Sequence, residues 1–295
     1  MHNFSYLLIV SLLCSFLNYT TPCESLHKPE SQKIISNLID FSENFAFFLK
    51  EISEQKYNDP NYNRFASVRL SSNLCDEEKN FLVYRANKVQ QTLEFLVNDE
   101  STINKVPRIA LCFSGGGYRA LIGTMAVLKS AQEVGLLDLT TYISSLSGST
   151  WALALASILN NDLDSCTDLT RNEVSNELTA NFNFNSVIFN SVSNLIYKQK
   201  FSLVSIWGLL LGNRLLNKFS SGNYCTKLSQ ITKFVEFGNL PLPIFTAGLV
   251  EPNDEYDWIE FTPFEIGGLK ANTFIPSWSF NRIFKYLLFI DYIWI

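Results

Sequence analysis

Two segments of the chain share the same order of apolar and polar residues. In the first, an apolar run at 109–113 leads into a glycine-containing turn at 114–119, and an apolar helix-forming run at 120–128 follows. The second segment repeats this order between residues 141 and 159. A short apolar run bounded by turn residues predicts a strand buried on both faces of a sheet, with Cys112 as a buried thiol. We therefore predict two successive strand–turn–helix units.

The spacing of the two turns indicates how their strands are connected. Thirty-three residues separate Ser114 in the first turn from Ser147 in the second. This is about the length of a βαβ crossover, in which a helix joins two parallel strands. Parallel strands end at the same edge of a sheet, so we expect the two turns to meet there in an α/β fold.

Two further helical segments precede these units. Residues 24–60 carry mixed helical patterning, which ends at a turn near Pro60. A second helix is predicted from Asp76 to Val97, and its charges at 76–79 indicate a solvated face.

The N-terminus has the features of an export signal. Residues 4–17 form an apolar stretch of 14 residues, which is shorter than the ~20 needed to span a bilayer. Thr21 and Cys23 supply small residues at the −3 and −1 positions of a cleavage site. We expect a signal peptide over residues 1–23, a secreted or lumenal protein and no transmembrane helix. A buried N-terminal helix and a retained anchor remain the alternatives.

Composition narrows the class of protein. Of the 295 residues, 47% are hydrophobic and 17% are charged, which is typical of a chain with a packed core rather than a disordered one. The formal net charge is −5 and no run of Lys or Arg is present, so nucleic acid is not an expected partner.

Histidine usage restricts the possible chemistry. The chain has two histidines, His2 and His27, so the remaining sequence offers no imidazole. This excludes a Ser-His-Asp triad, a Cys-His pair and a histidine-liganded zinc site from the domain. We expect no metal and no cofactor, and a hydrolase built on this chain must use another base.

The glycine turn and Ser147 are the candidate catalytic elements. Three glycines, Gly115, Gly116 and Gly117, would expose backbone N–H groups at the start of a helix, where they can bind an anion or a developing oxyanion. Ser147 stands at the apex of the second turn between Ser145 and Ser149, the position of the nucleophile in an elbow with small flanking residues. A packing turn and a helix N-cap serine are the respective structural alternatives.

These motifs resemble a known family. Ser-Gly-Gly-Gly-Tyr-Arg-Ala at 114–120 and Leu-Ser-Gly-Ser-Thr-Trp at 146–151 are similar to the catalytic domain shared by secreted lysophospholipases (phospholipase B) and group-four cytosolic phospholipases A. Further similar segments lie at 207–212, 243–245 and 260–267. The resemblance extends from about residue 55 to residue 282, the first half of the family's domain.

The resemblance implies a fold and a division of the chain. The fold would be a lipase/patatin-like three-layer α/β/α domain with a mostly parallel central sheet. The chain would then comprise a signal peptide (1–23), a helical extension (24–54), the first half of the catalytic domain (55–282) and a non-matching apolar tail (283–295). We accordingly expect a C-terminally truncated domain.

The resemblance also implies residue roles. Ser147 would be the nucleophile of a Ser/Asp dyad, the amides of Gly116 and Gly117 would form the oxyanion hole, and Arg119 would bind the lipid phosphate. The substrate would be a phospholipid or lysophospholipid at a membrane or micelle surface, hydrolysed at a fatty-acyl ester. A surface salt bridge is the structural alternative for Arg119.

The aspartate of the dyad is the point at which this chain departs from the family. Relatives carry it far downstream in an Asp-Gly turn, and this sequence contains no Asp-Gly. Asp254, Asp257 and Asp291 lack that context, so the base is assigned to no residue. Three hypotheses follow: part of a lysophospholipase, a non-catalytic lipid-binding remnant, or a serine hydrolase acting on another ester or on peptides.

Overall fold

The described part of the chain contains one mixed sheet. The computed structural model describes residues 50, 61, 63–97, 105–159, 162–176, 203–216, 227–250, 256–268 and 270–280. Its strands are β1 (Arg69–Leu70), β2 (Ile109–Phe113), β3 (Thr140–Leu146), β4 (Leu242–Val250), β5 (Tyr256–Phe261), β6 (Glu265–Gly268) and β7 (Thr273–Pro276). They pair in the order β1-β7-β6-β5-β4-β3-β2.

Helices precede and connect the strands of the site. They are α1 (Asp76–Val97), α2 (Tyr118–Glu133), α3 (Leu136–Leu139), α4 (Gly148–Ile158), α5 (Leu163–Val174), α6 (Leu203–Leu216) and α7 (Thr232–Val235), with short 3₁₀ segments at Leu228–Ile231 and Ser277–Ser279. The helix expected at 76–97 is α1, and the helices expected after the two turns are α2 and α4. These three predictions are confirmed.

The sheet has a parallel part and an antiparallel part. Strands β2, β3 and β4 are parallel neighbours, whereas the other four pairings are antiparallel. The α/β class is confirmed, but a mostly parallel sheet is a correct description only of the part that carries the motifs. The chain has few residues between successive strands from β4 to β7, too few for a crossover helix, so these strands return antiparallel.

Helices cover both faces of the parallel part. The crossovers from β2 to β3 and from β3 to β4 move in the same direction along the sheet, so right-handed connections place α2 and α4 together on one face, where they pack on each other. Their fully buried side chains form the middle of the core: Leu121, Met125, Leu128, Ala152, Leu155 and Ala156. Helix α1 packs against β3, where the Phe81 and Tyr142 ring centroids are 6.3 Å apart. The result is the expected three-layer arrangement.

Strand β2 is less buried than its apolar sequence predicts. It is the last strand of the sheet within the described residues, and its burial alternates, with Ala110 and Cys112 exposed. The expectation of a strand buried on both faces, and of a buried Cys112 thiol, is therefore wrong for the described structure. An edge strand has a neighbour on one side only, which leaves its side chains less covered.

A buried arginine fixes α1 to the base of β3. Arg85 is fully buried and donates hydrogen bonds from Nε to the carbonyl oxygen of Thr140 at 2.9 Å and from Nη1 to that of Gly238 at 2.9 Å. Its Nη2 donates to the carbonyl oxygen of Leu137 at 2.5 Å. Burial lowers the pKa of Arg85 to about 10, so it stays charged at neutral pH. One side chain thus connects α1, α3 and the loop before β4.

One residue of the charge cluster at 76–79 is buried, contrary to the sequence-based expectation. Asp76, Glu77 and Lys79 are exposed as predicted, but Glu78 is buried and accepts a 2.7 Å hydrogen bond from the hydroxyl of Tyr142. Burial raises the pKa of Glu78 above its ordinary value. The charge cluster at 76–79 is therefore only partly a solvated face.

Several predicted segments lie outside the described residues. These are the signal peptide (1–23), almost all of the helical extension (24–54) and the apolar tail (283–295). Among the helices of the described ranges, none is both long enough and apolar enough to cross a membrane.

Candidate active site

The two predicted turns meet at one edge of the sheet. Strands β2 and β3 are parallel neighbours, and Phe113 is in register with Ser145 near their carboxyl ends. The glycine turn therefore leaves β2 beside the point at which the serine turn leaves β3. The prediction that a βαβ unit brings Ser114 and Ser147 to a common edge is consistent with this register.

Ser147 has the backbone conformation of a sharp strand-to-helix turn. It lies between β3 and α4 with φ 55° and ψ −123°, a region that residues with a Cβ rarely adopt. Such a conformation costs of the order of 1–3 kcal/mol and is found mainly at functional sites. The local sequence allows the turn because Gly148 follows, and α4 then begins with an apolar run that packs into the core.

The side chain of Ser147 is exposed and has no hydrogen-bond partner within the described residues. It makes no capping hydrogen bond to α4, although it occupies the N-cap position. No group in the described ranges hydrogen-bonds its Oγ. The N-cap alternative therefore does not explain this serine, and its hydroxyl is accessible to a substrate.

The two turns are in direct contact. A Cβ on Gly148 would lie 2.0 Å from the carbonyl oxygen of Gly117, so only glycine allows the two backbones to approach this closely. A Cβ on Gly115 would lie 3.0 Å from the Cβ of Ser147 and 3.6 Å from its Oγ. Gly115 therefore keeps the space beside the hydroxyl open, and sequence reasoning missed the contact role of both glycines.

The glycine turn presents unpaired amides next to this hydroxyl. Gly116 has φ 153°, and Gly117, at the N-cap of α2, has φ 60° and ψ −137°. Within the described ranges neither amide donates a backbone hydrogen bond. The first N–H groups of a helix have no intrahelical acceptor, and they carry its positive dipole end. Gly117 is at the N-cap and Gly116 precedes it, so their amides lie at the kind of helix start that can bind an anion.

Arg119 lies in the first turn of α2 and is exposed. In the part of the chain that the structure describes, its guanidinium takes part in no ion pair, which does not favour the salt-bridge alternative. An exposed guanidinium two residues after the glycine amides can bind an anionic group of a ligand through two parallel N–H donors.

The flanking serines do more than keep the turn small. Ser149 is buried, accepts a hydrogen bond from the hydroxyl of Thr124 at 2.9 Å and donates one to the carbonyl oxygen of Ser114. The carbonyl oxygen of Ser145 accepts a 2.8 Å hydrogen bond from Thr246 on β4. Sequence reasoning recognised the size of these serines but had no signal for their partners, which are distant in the chain.

The structure assigns no base to Ser147. Asp257 is buried on β5, and its Oδ1 accepts a 2.8 Å hydrogen bond from the amide of Trp258. Asp254 and Asp291 lie outside the described residues. None of the three sequence candidates is therefore brought to the serine in the described part, and the base stays unassigned.

A cluster of possible metal ligands lies between α1 and β6, and its groups are already engaged. The ligand atoms of Cys75, Glu78 and Glu265 lie within 4.8 Å of one another. Glu265 accepts hydrogen bonds from both Nε and Nη2 of Arg69, and Glu78 accepts one from Tyr142. Burial raises the pKa of the Cys75 thiol to about 12, so it remains protonated at neutral pH. Both carboxylates of this cluster are thus already engaged in hydrogen bonds within the protein.

Comparisons with known proteins agree with these motifs. Residues 109–280 match a family model described as the lysophospholipase catalytic domain. Mouse (Mus musculus) cytosolic phospholipase A2 delta is 32% identical over 232 residues, which make up 74% of this chain and 28% of that protein.

Solved structures of a human relative are also similar to this chain. Human GIVD cytosolic phospholipase A2 superimposes with a TM-score of 0.64 and 28% identity, over 72% of this chain and 30% of that chain. Its complex with the inhibitor methyl gamma-linolenyl fluorophosphonate and terbium chloride superimposes with a TM-score of 0.61 and 29% identity, over 72% of this chain and 32% of that one. The chain thus spans less than a third of the length of these relatives.

Proposed function

The chain belongs to the lysophospholipase catalytic domain family, and on this basis we propose that it contributes the nucleophile and oxyanion hole of a lysophospholipase or phospholipase. The proposed substrate is a glycerophospholipid or lysophospholipid at a membrane or micelle surface. The observation that supports this most directly is the exposed Ser147 hydroxyl, held in a rare backbone conformation against the glycine turn.

The proposed reaction is acyl transfer through a covalent intermediate. The Oγ of Ser147 attacks the ester carbonyl carbon and its proton passes to a base, while the carbonyl oxygen becomes an oxyanion held by the amides of Gly116 and Gly117. The C–O bond to glycerol then breaks, and the leaving alkoxide takes up a proton. Water hydrolyses the acyl-serine, which releases the fatty acid and restores the hydroxyl.

Arg119 is proposed to hold the phosphate of the headgroup. Its guanidinium is exposed near the glycine amides, and an arginine fork matches two phosphate oxygens while staying charged at every physiological pH. Holding the phosphate would fix the distance from the headgroup to the scissile ester. Loss of this contact should therefore raise KM more than it lowers kcat.

The base is proposed to be an aspartate, as in relatives of the family, and is not assigned to a residue of this chain. The lack of imidazole after His27 is compatible with a carboxylate in this role. Because the chain spans less than a third of its relatives, hydrolysis by the whole protein is also part of the proposal.

The test is release of fatty acid from lysophosphatidylcholine micelles by the full chain. Wild-type protein should release fatty acid, Ser147→Ala should lower the rate by at least about 10³-fold, and Ser157→Ala, a buried serine of α4 that donates only to the Leu153 carbonyl oxygen, should be nearly unaffected. Activity that survives in Ser147→Ala would contradict the assignment of the nucleophile.

The alternatives make different predictions in the same assay. A non-catalytic lipid-binding remnant would bind the micelles without turnover, and Ser147→Ala would change nothing. A serine hydrolase for other esters would react covalently at Ser147 with an alkyl fluorophosphonate but release no fatty acid from lysophosphatidylcholine.

We also propose export of the protein through a signal peptide over residues 1–23. Expression in a eukaryotic secretory host should give protein in the medium that begins at residue 24, as read by N-terminal sequencing. Full-length protein retained in the cytosol would contradict the proposal.

A further inference from the structure

A short chain of hydroxyl groups connects the two turns behind the candidate site. The hydroxyl of Thr124 on α2 donates to Oγ of Ser149 at 2.9 Å, and Ser149, in the first turn of α4, donates to the carbonyl oxygen of Ser114. Thr124 is 4% exposed and Ser149 is 1% exposed, so water does not compete for either hydroxyl.

The direction of these hydrogen bonds is fixed by their chemistry. A carbonyl oxygen can only accept, so the single proton of Ser149 must point to Ser114. The oxygen of Ser149 is then free to accept the proton of Thr124. Each hydroxyl therefore has one defined orientation, and the carbonyl of Ser114 is held to the start of α4.

This attachment acts on the part of the glycine turn that carries the proposed oxyanion hole. Ser114 is the first residue of the turn, and Gly116 and Gly117 follow it directly. At the other end of the turn, Gly117 packs against Gly148. The turn is thus fixed to the serine turn at both of its ends, by a hydrogen bond at one and by a close backbone contact at the other.

We infer that Ser149, oriented by Thr124, is a positioning residue that sets the distance from the Gly116 and Gly117 amides to the Ser147 hydroxyl. The inference extends the proposed function, because it assumes that these amides and this hydroxyl act together. Without the hydroxyl of Ser149, the Ser114 carbonyl would lose the partly buried hydrogen bond that holds it to α4, and the turn would shift or become mobile.

The test compares Ser149→Ala, Ser149→Cys and Thr124→Val with Ser157→Ala. Ser149→Cys keeps the branching of serine with a somewhat larger atom that is only a weak donor. Thr124→Val keeps the shape of Thr124 and leaves the Ser149 hydroxyl in place. Ser157 is a matched control, since it is also buried on α4 and also donates to a carbonyl oxygen, that of Leu153 at 2.7 Å.

Two readouts are measured on the full folded chain. The first is the position and relaxation of the Gly115–Gly117 and Ser147 amide resonances in ¹H–¹⁵N spectra, which report on the turn without requiring catalysis. The second is the rate constant for labelling of Ser147 by an alkyl fluorophosphonate, corrected for the folded fraction.

The expected result is specific to the hydroxyl chain. Ser149→Ala and Ser149→Cys should shift the turn amides and slow labelling about tenfold, less than the loss of an oxyanion donor itself. Thr124→Val should slow labelling about two- to threefold, because it frees the orientation of Ser149 but leaves the bond to Ser114. Ser157→Ala should leave both readouts unchanged.

The inference is overturned if Ser149→Ala or Thr124→Val disturbs the turn amides no more than Ser157→Ala does. It is also overturned if the amides move while the labelling rate stays that of the wild type. Failure of the proposed function gives a different result. A wild-type protein that is not labelled would contradict the role of Ser147. The amide spectra would still decide whether Ser149 holds the turn. If Ser149→Ala does not fold, the milder Thr124→Val decides by the same criteria.

Discussion

The two turns of the site have nearly the same backbone and different residues at their apex. Gly117 has φ 60° and ψ −137°, and Ser147 has φ 55° and ψ −123°, each immediately before a helix. Glycine adopts this conformation without steric cost, whereas a residue with a Cβ is strained there. The first turn has glycine, the residue that this backbone conformation favours. The second has a serine, which is strained there but supplies a hydroxyl.

This difference separates a residue selected for its backbone from one selected for its side chain. The glycine turn presents amides, and Gly117 needs no side chain to do so. The side chain of Ser147 makes no hydrogen bond to α4, so it does not offset the strain within the described fold. The comparison therefore favours a chemical role for the hydroxyl.

The contact between the turns should be the most sensitive point. Gly148→Ala would put a Cβ 2.0 Å from the Gly117 carbonyl oxygen, and because backbone cannot move aside easily we expect a loss of roughly 3 kcal/mol or more in the free energy of unfolding. Denaturant titration followed by circular dichroism measures it. Gly123→Ala in α2, where an added Cβ meets no atom within 4 Å, is the control and should gain up to about 1 kcal/mol. Equal stability of the two variants would contradict the close contact.

Strain without a clash can be tested at Gly117. An added Cβ there meets no atom within 4 Å, so Gly117→Ala changes only the conformational energy of a residue at φ 60°. We expect a loss of about 2 kcal/mol in unfolding free energy, measured in the same titration. A neutral result would show that this turn does not require glycine.

The reverse substitution tests the strain at Ser147. Ser147→Gly relieves it and Ser147→Ala retains it, so the glycine variant should be about 1 kcal/mol more stable than the alanine variant after allowing for the extra chain entropy of glycine. Thermal and denaturant unfolding of the pair provide the measurement. An alanine variant as stable as the glycine variant would remove the argument for stored strain.

The smallest expected effect is the dependence of stability on pH through one partly buried carboxyl group. Burial raises the pKa of Glu260 on β5 above its ordinary value, and the charges of Glu78 and Glu265 raise it further. A carboxyl group whose pKa is raised by folding contributes stability that is fully present below the ordinary value and is lost as pH rises through the raised value.

Glu260→Gln should therefore raise Tm at pH 7.5 by about 1–2 °C and give no gain near pH 4. Thermal unfolding across that range measures the difference. The control is Glu236→Gln, which removes a carboxylate that is exposed to solvent. A Glu260→Gln variant with the same Tm difference at both pH values would contradict burial as the cause.

Patterns of neighbouring residues in the sequence were enough to predict the two turns and helix α1. Each depends on neighbouring residues: an apolar run, small or glycine residues at the turn, and a helix-forming stretch after it. The same reasoning predicted the parallel pair β2 and β3 from the 33-residue separation of Ser114 and Ser147.

Contacts between distant residues could not be predicted in this way. The carbonyl groups that surround Arg85 come from residues 52 to 154 positions later in the chain, and the partners of Ser149 lie 25 and 35 positions earlier. Burial of Glu78 depends on Tyr142, which the fold brings to α1. Periodicity assigns a residue to an element but does not say which remote atoms it meets.

The central claim is that Ser147 is a nucleophile, and covalent labelling tests it most directly. Full-length protein is incubated with an alkyl fluorophosphonate, and the adduct is located by peptide mass spectrometry in wild type, Ser147→Ala and Ser157→Ala. The account predicts one adduct, on Ser147, in wild type and in Ser157→Ala and none in Ser147→Ala. An unlabelled wild-type protein, or an adduct that persists in Ser147→Ala, would contradict it.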